Sequence, residues 1–186
     1  KVGDDAYDLS GENGDEHIVK VFKLLKDDDD VVIKDDNGTI SLKDNETGAP
    51  AAAIELPNGK IVTGKTTGLL GASSALILNA LKELAGIDKS ILLIPQNVIE
   101  PIQNLKTGYL GNHNPRLHTD EVLIALCVSA VTDKNAEKAM NQLCNLRNCE
   151  AHSSVMLSQV DNNVFKKLGV NLTCEPKYQT KKLYHS

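Results

Sequence analysis

Residues 51–85 read AAAIELPNGKIVTGKTTGLLGASSALILNALKELA, and this stretch decides the fold class. Its first part holds two short apolar runs, 51–56 and 60–63, separated by Pro57-Asn58-Gly59. An Asn-Gly pair between two such runs signals a hairpin, since glycine accepts the positive φ that a tight turn needs. Its second part, 72–85, sets Ala72, Ala75, Leu76, Leu78, Leu81, Leu84 and Ala85 at helical spacing, with Gly86 placed to stop the helix. A hairpin that feeds an apolar helix begins a layered α/β domain.

Downstream the pattern continues. Residues 90–94 form a short apolar run, expected to be a strand buried on both faces. Residues 97–105 are expected to be helical, with Pro101 an internal complication. A polar loop, 108–117, precedes a helix capped by Thr119, with Asp120 and Glu121 in its first turn, where the helix dipole favours anions. Its run 122–131 is apolar all round, which predicts a central helix. An amphipathic helix is expected over 134–147, a strand over 153–157, a helix over 162–168 capped by Asp161 and ended by Gly169, and a last strand over 170–174. Alternating strands and helices predict a three-layer α/β/α sandwich on a mixed sheet.

The chain divides at residue 48. Residues 1–48 carry 14 acidic and 6 basic side chains, a net of −8, whereas 49–186 carry 11 acidic and 14 basic, a net of +3. The front segment is expected to be loose over 1–14, helical over 15–26 and a hairpin around Asp36-Asn37-Gly38, with a linker after it. The α/β domain occupies 49–186 and ends in a basic tail over 177–186.

Composition excludes several classes. No apolar run reaches the roughly 20 residues of a membrane span. Aromatic residues make up 3% of the chain and basic residues form no stripe, so nucleic acid is not expected as a partner. The cysteines Cys127, Cys144, Cys149 and Cys174 form no CxxC pair, and a chain of this size needs no disulfide staples. The sequons at Asn37, Asn45 and Asn171 matter only in a secretory compartment. A reducing cytoplasm is the expected location.

Two motifs invite functional readings. Gly59-Lys60-Ile61-Val62-Thr63-Gly64-Lys65-Thr66 matches the phosphate-loop string, making Lys65 and Thr66 candidate ligand-binding residues. Its middle is strand-forming and its helix starts too late, so a hairpin followed by a loop is the expected structure. The hairpin-then-helix layout is also similar to the cytidine-deaminase architecture. That chemistry needs His/Cys-x-Glu at the helix start and a Pro-Cys-x-x-Cys. Here the helix start reads Gly71-Ala72-Ser73-Ser74 and no Pro-Cys-x-x-Cys exists, so the zinc site is not expected.

Two polar segments, 112–121 and 148–154, sit at element ends, where sites gather. His118, Glu121, Cys149 and His152 are the candidate catalytic residues, converging on a metal or, for Cys149 and His152, acting as nucleophile and base. Arg116 and Arg147 are candidate clamps for a carboxylate or phosphate. Helix capping and loop hydrogen bonds are the competing structural role. No resident metal is assigned and the cofactor is left open.

From about Ala51 onward the stretches IELPNGKIVTGKT, SSALILNALKELAGI, VIEPIQNLKTGYLGN, NPRLHTDEVLIALCVSAVT, LRNCEAHSS and FKKLGVNLTCEP carry a resemblance. The chain resembles the C-terminal subdomain of a bacterial family known only as an uncharacterised protein with a domain of unknown function. The resemblance implies deaminase-like topology and a much longer upstream portion, Rossmann-like and helical, that serves as partner. It brings no established activity. The expected function is a ligand-binding or assembly subdomain, oligomeric with its own kind. The alternatives are a hydrolase- or lyase-type enzyme completed by the upstream portion, and nucleotide binding through Gly64-Lys65-Thr66.

Overall fold

The computed structural model describes residues 31–33, 42–44 and 49–178. The expected 15–26 helix, the Asn37-Gly38 turn and residues 179–186 of the basic tail lie outside these. Strands β1 (Val31–Ile33) and β2 (Leu42–Asp44) pair antiparallel, with Ile33 opposite Leu42.

The main sheet is built from β3 (Ala51–Glu55), β4 (Ile61–Lys65), β5 (Glu150–Ser153) and β6 (Asn171–Cys174), in the order β4-β3-β5-β6. β3 is antiparallel to both its neighbours, while β5 and β6 are parallel, so the sheet is mixed. The β3–β4 hairpin turns as the sequence predicts. Gly59 sits at φ 77° and its N–H donates to the Leu56 carbonyl at 2.8 Å. Glu55 pairs with Ile61 and Ala51 with Lys65.

Among the described residues, five helices accompany the sheet: α1 (Ala72–Ala85), α2 (Gln96–Asn104), α3 (Thr119–Ala130), α4 (Lys134–Met140) and α5 (Gln159–Leu168). α1 runs along β4, and the reason is Gly64. A Cβ there would lie 2.2 Å from the Leu76 backbone nitrogen and 2.7 Å from the Ala72 carbonyl oxygen. Only a bare backbone lets helix and strand approach so closely. α1 then buries Leu76, Ile77 and Leu81 completely, each contributing about 1.5–3 kcal/mol over an exposed side chain. They join Ala52, Ile54, Ala151, Val122, Leu126 and Phe165 in one apolar cluster. Strand alternation sends Ala52 and Ile54 into that cluster and Ala51 and Ala53 to the opposite face.

Four expectations need correction. Residues 90–94 are not a strand. The Asp88 carboxylate accepts from both the Ser90 N–H (2.8 Å) and its hydroxyl, which fixes a turn. Leu93 and Ile94 then anchor in the core while Leu92 stays exposed. The strand expected over 153–157 instead spans Glu150–Ser153, because pairing with β3 and β6 recruits polar residues. The helix expected over 134–147 stops at Met140, and a 3₁₀ turn, Leu143–Leu146, follows. The caps differ too. His118 is the N-cap of α3 and Ser158 that of α5, while Thr119 and Asp161 lie inside those helices. Pro101 is accommodated within α2, which runs on into a π turn, Leu105–Tyr109.

Candidate functional site

Past the last residues of β4 and β5 the chain opens a cavity of about 890 Å³. Three helices begin at its rim: α1 after Gly71, α3 after His118 and α5 after Ser158. Ligands in open α/β sheets gather at the carboxyl ends of strands and at helix N-termini, where unpaired N–H groups project.

The centre of the arrangement is Asp161, 5% exposed. Its carboxylate accepts from the Thr119 N–H (2.8 Å), the Thr119 hydroxyl, the Ser158 hydroxyl (2.7 Å) and His118 Nδ1–H (3.1 Å). Burial alone raises a carboxyl pKa. The hydrogen bonds from His118, Thr119 and Ser158 outweigh it and hold Asp161 at about 2. The same hydrogen bond raises His118 above the ordinary imidazole value, against the opposing effect of its burial. Asp161 thus fixes both the tautomer and the orientation of the ring, and Nε2 is the nitrogen left for a ligand.

Glu121 stands beside this pair but has a different task. It accepts from the His118 backbone N–H at 2.7 Å and from Lys106 Nζ at 2.7 Å. Lys106, 3% exposed, also donates to the Arg116 carbonyl at 2.7 Å. One buried cation therefore ties the π turn to the loop before α3 and holds Arg116 at the rim. The Arg116 side chain donates through Nε to the Thr67 carbonyl at 2.7 Å.

Of the residues singled out from sequence, His118, Arg116 and Thr66 line the cavity. Lys65 does not; it is part of β4 and pairs with Ala51. Because 61–65 is a paired strand, the phosphate-loop conformation is absent and nucleotide binding through that string is set aside. Cys149 and His152 are not a nucleophile and base. Three residues apart around one strand, they project to opposite faces. Cys149 joins the apolar cluster, where burial, together with Glu150 and Glu55, pushes its thiol up, away from the reactive thiolate. His152 bonds Thr173 Oγ1 at 2.7 Å and lies 3.6 Å from Glu175, with burial lowering its pKa. Arg147 borders a second, smaller cavity of about 510 Å³ at the far end of β5, so the two arginines do not form one clamp. Among the described residues no three His, Cys, Asp or Glu side chains are placed to hold a metal, and the convergence of His118, Glu121, Cys149 and His152 does not occur.

The sequence does not point to Ser158, Ser73 and Lys106, and it offers Asp161 only as a helix cap. A signal for Ser158 lay in its spacing from Asp161. Ser158-x-x-Asp161 before an apolar helix is a capping pattern, and Ser158 indeed accepts from the Asp161 N–H at 3.1 Å. That Asp161 also reaches α3 across 42 residues of sequence is not locally encoded.

The sequence profile for the domain of unknown function DUF1846, C-terminal, matches residues 37–184. A UPF0371 protein of Corynebacterium efficiens is 62% identical over 141 residues, 76% of this chain and 28% of the relative. A UPF0371 protein of Streptococcus pyogenes serotype M3 is 50% identical over 179 residues, 95% of this chain and 36% of the relative. The chain thus spans about a third of the length of the curated relatives it matches. On this evidence the chain belongs to the DUF1846 family and carries its C-terminal domain.

Proposed function

We propose that this chain is the assembly subdomain of a longer family protein and packs through α3 against the portion that the relatives carry in addition. One observation carries the reading. Ile124 and Val128 of α3 and Val131, its C-cap, are 63%, 57% and 82% exposed and fall at helical spacing along one side. The other side of the same helix buries Val122, Ala125 and Leu126 in the core. A helix that only faced solvent would carry polar residues on its outer side, whereas aligned large aliphatics mark a surface meant to be covered. The relatives' much greater length supplies a partner of the same polypeptide.

The test is co-expression of this chain with the portion preceding it in a family relative. The wild-type chain co-purifies, and Val128→Asp, still folded and monomeric, does not. Undiminished co-purification of Val128→Asp refutes the assignment. So does self-association of the chain alone that Val128→Asp disrupts, because the stripe then serves a homo-oligomer.

A second reading, an enzyme site completed by the rest of the protein, is favoured by the Asp161–His118 pair, which orients an imidazole as a general base requires. For the fold we extend the resemblance to a deaminase-like, three-layer layout. The strand order, the parallel β5–β6 pair and the α1 that follows the hairpin support it. Ala53, His152 and Thr173 lie on the face such a third layer would cover. No helix among the described residues is long and apolar enough to cross a membrane. The four cysteines are unbridged, which supports the cytoplasmic placement.

A further inference from the structure

The cavity holds a set of hydrogen-bond donors that the fold itself does not use. α1 begins at Gly71, which has no side chain to cap it, and its first turn contains no acidic residue. The N–H groups of that turn therefore have no side-chain acceptor, and the positive end of a 14-residue helix faces the cavity. Ser73 lies in the same turn. It is 3% exposed, lines the cavity, and its hydroxyl makes no hydrogen bond among the described residues. Its neighbour Ser74 shows the alternative, donating to the Leu117 carbonyl at 2.9 Å. Thr66 Oγ1, in the cavity wall, is fully enclosed and has no hydrogen-bond partner among the described residues. The Ser73 hydroxyl opens into the cavity with no partner in the fold, and a hydroxyl so nearly buried and left unpaired points to a bound group that satisfies it.

Positive charge stands beside them. The Arg116 guanidinium uses Nε on the Thr67 carbonyl and makes no ion pair among the described residues, which leaves its terminal nitrogens for a ligand. His118 contributes Nε2, its Nδ1 being held by Asp161. The carboxylate in the cavity wall, Asp161, keeps its negative charge, and its pairing with the His118 imidazole offsets that charge when the ring is protonated.

We propose that this cavity binds the phosphate group of a small phosphomonoester, seated on the α1 N-terminus between Ser73 and Arg116, with His118 at its edge. Helix N–H groups, the Ser73 hydroxyl, a guanidinium and an imidazole offer more donors than the two oxygens of a carboxylate engage, and they suit the oxygens of a phosphate. The remaining volume suits a small organic group, since ligand sites run from roughly 300 to 1,000 Å³. The site does not depend on the assembly reading, whose surface is the opposite stretch of α3.

Binding is measured on the whole chain by calorimetry and by ³¹P line broadening, with inorganic phosphate and glycerol 3-phosphate as probes at constant ionic strength. Acetate and glycerol serve as controls. The expected result is saturable binding of both phosphates with a Kd of roughly 1 mM or tighter, and no saturation with acetate or glycerol. Arg116→Gln weakens binding by about ten-fold or more, the factor one charge-assisted hydrogen bond accounts for. Ser73→Ala weakens it too, while Arg147→Gln, at the other cavity, leaves it unchanged. Thermal melts of each variant verify the fold. Absence of saturation by either phosphate overturns the proposal. So does equal binding of acetate, or phosphate binding that survives both Arg116→Gln and Ser73→Ala.

Discussion

Replacing Asp161 with asparagine tests the central interaction of the cavity. Asparagine keeps the shape and one acceptor oxygen but loses the charge that four donors from three residues converge on. The structure sets the scale. Asp161 is held at about 2 against an ordinary 3.8, and each pKa unit corresponds to about 1.4 kcal/mol. The carboxylate therefore contributes roughly 2–3 kcal/mol to folding near neutral pH, a large share of the 5–15 kcal/mol that a domain has in total. The pH profile is more telling than the magnitude. A depressed carboxylate stabilises fully above its unfolded pKa of 3.8, and that stabilisation is lost as pH falls toward 2. A raised imidazole does the reverse. The His118 contribution is complete below 6.5 and is lost as pH rises through its higher folded value. Both act together only between these limits. In urea unfolding series from pH 3 to 8, the stability gap between wild type and Asp161→Asn should be widest between 3.8 and 6.5 and narrow on either side. A gap that stays constant over the whole series from pH 3 to 8, or one below about 0.5 kcal/mol throughout, refutes the account of Asp161 as the ionised anchor of His118.

Two further outcomes follow from packing. Gly64→Ala places a Cβ 2.2 Å from the α1 backbone, so the helix must lift and the chain loses about 1–3 kcal/mol or more. Gly68→Ala, with nothing within 4 Å, changes stability by no more than about 0.5 kcal/mol, and equal effects of the two in thermal melts contradict the close approach. With a thiol-reactive chromogen, the exposed Cys127 and Cys144 react rapidly in the native protein. Cys149 and Cys174, whose thiols burial pushes up, react only on unfolding; prompt reaction of all four would show that the β5–β6 region is not closed.

The parts of this molecule that local sequence controls were readable. The Asn58-Gly59 turn, the apolar period of α1 and the Gly86 and Gly169 stops all follow from chemistry within a few residues. β5 was misplaced because its residues, Glu150, Ala151, His152 and Ser153, have no strand signature of their own. They are extended because β3 and β6 flank them. The site divides the same way. His118 and Arg116 stand out as polar residues at an element end, but what makes them a site is Asp161, Ser73 and Lys106, brought there from other elements. A buried lysine in particular reads as a surface residue until Glu121 and the Arg116 carbonyl are seen to satisfy it.

The pairing of β3 with β5 also bears on how the chain reaches this state. Ala51 bonds the Ser154 hydroxyl across 103 residues. The β3–β4 hairpin and α1, by contrast, close over short separations and are able to form first. Such long-range pairing slows folding, because loop entropy is lost before the contact is gained. On a ribosome, the inner edge of β3 stays bare until β5 has been synthesised. Over that interval the nascent chain exposes an apolar strand edge of Ala51–Glu55, the kind of surface that other chains pair with and that chaperones shield.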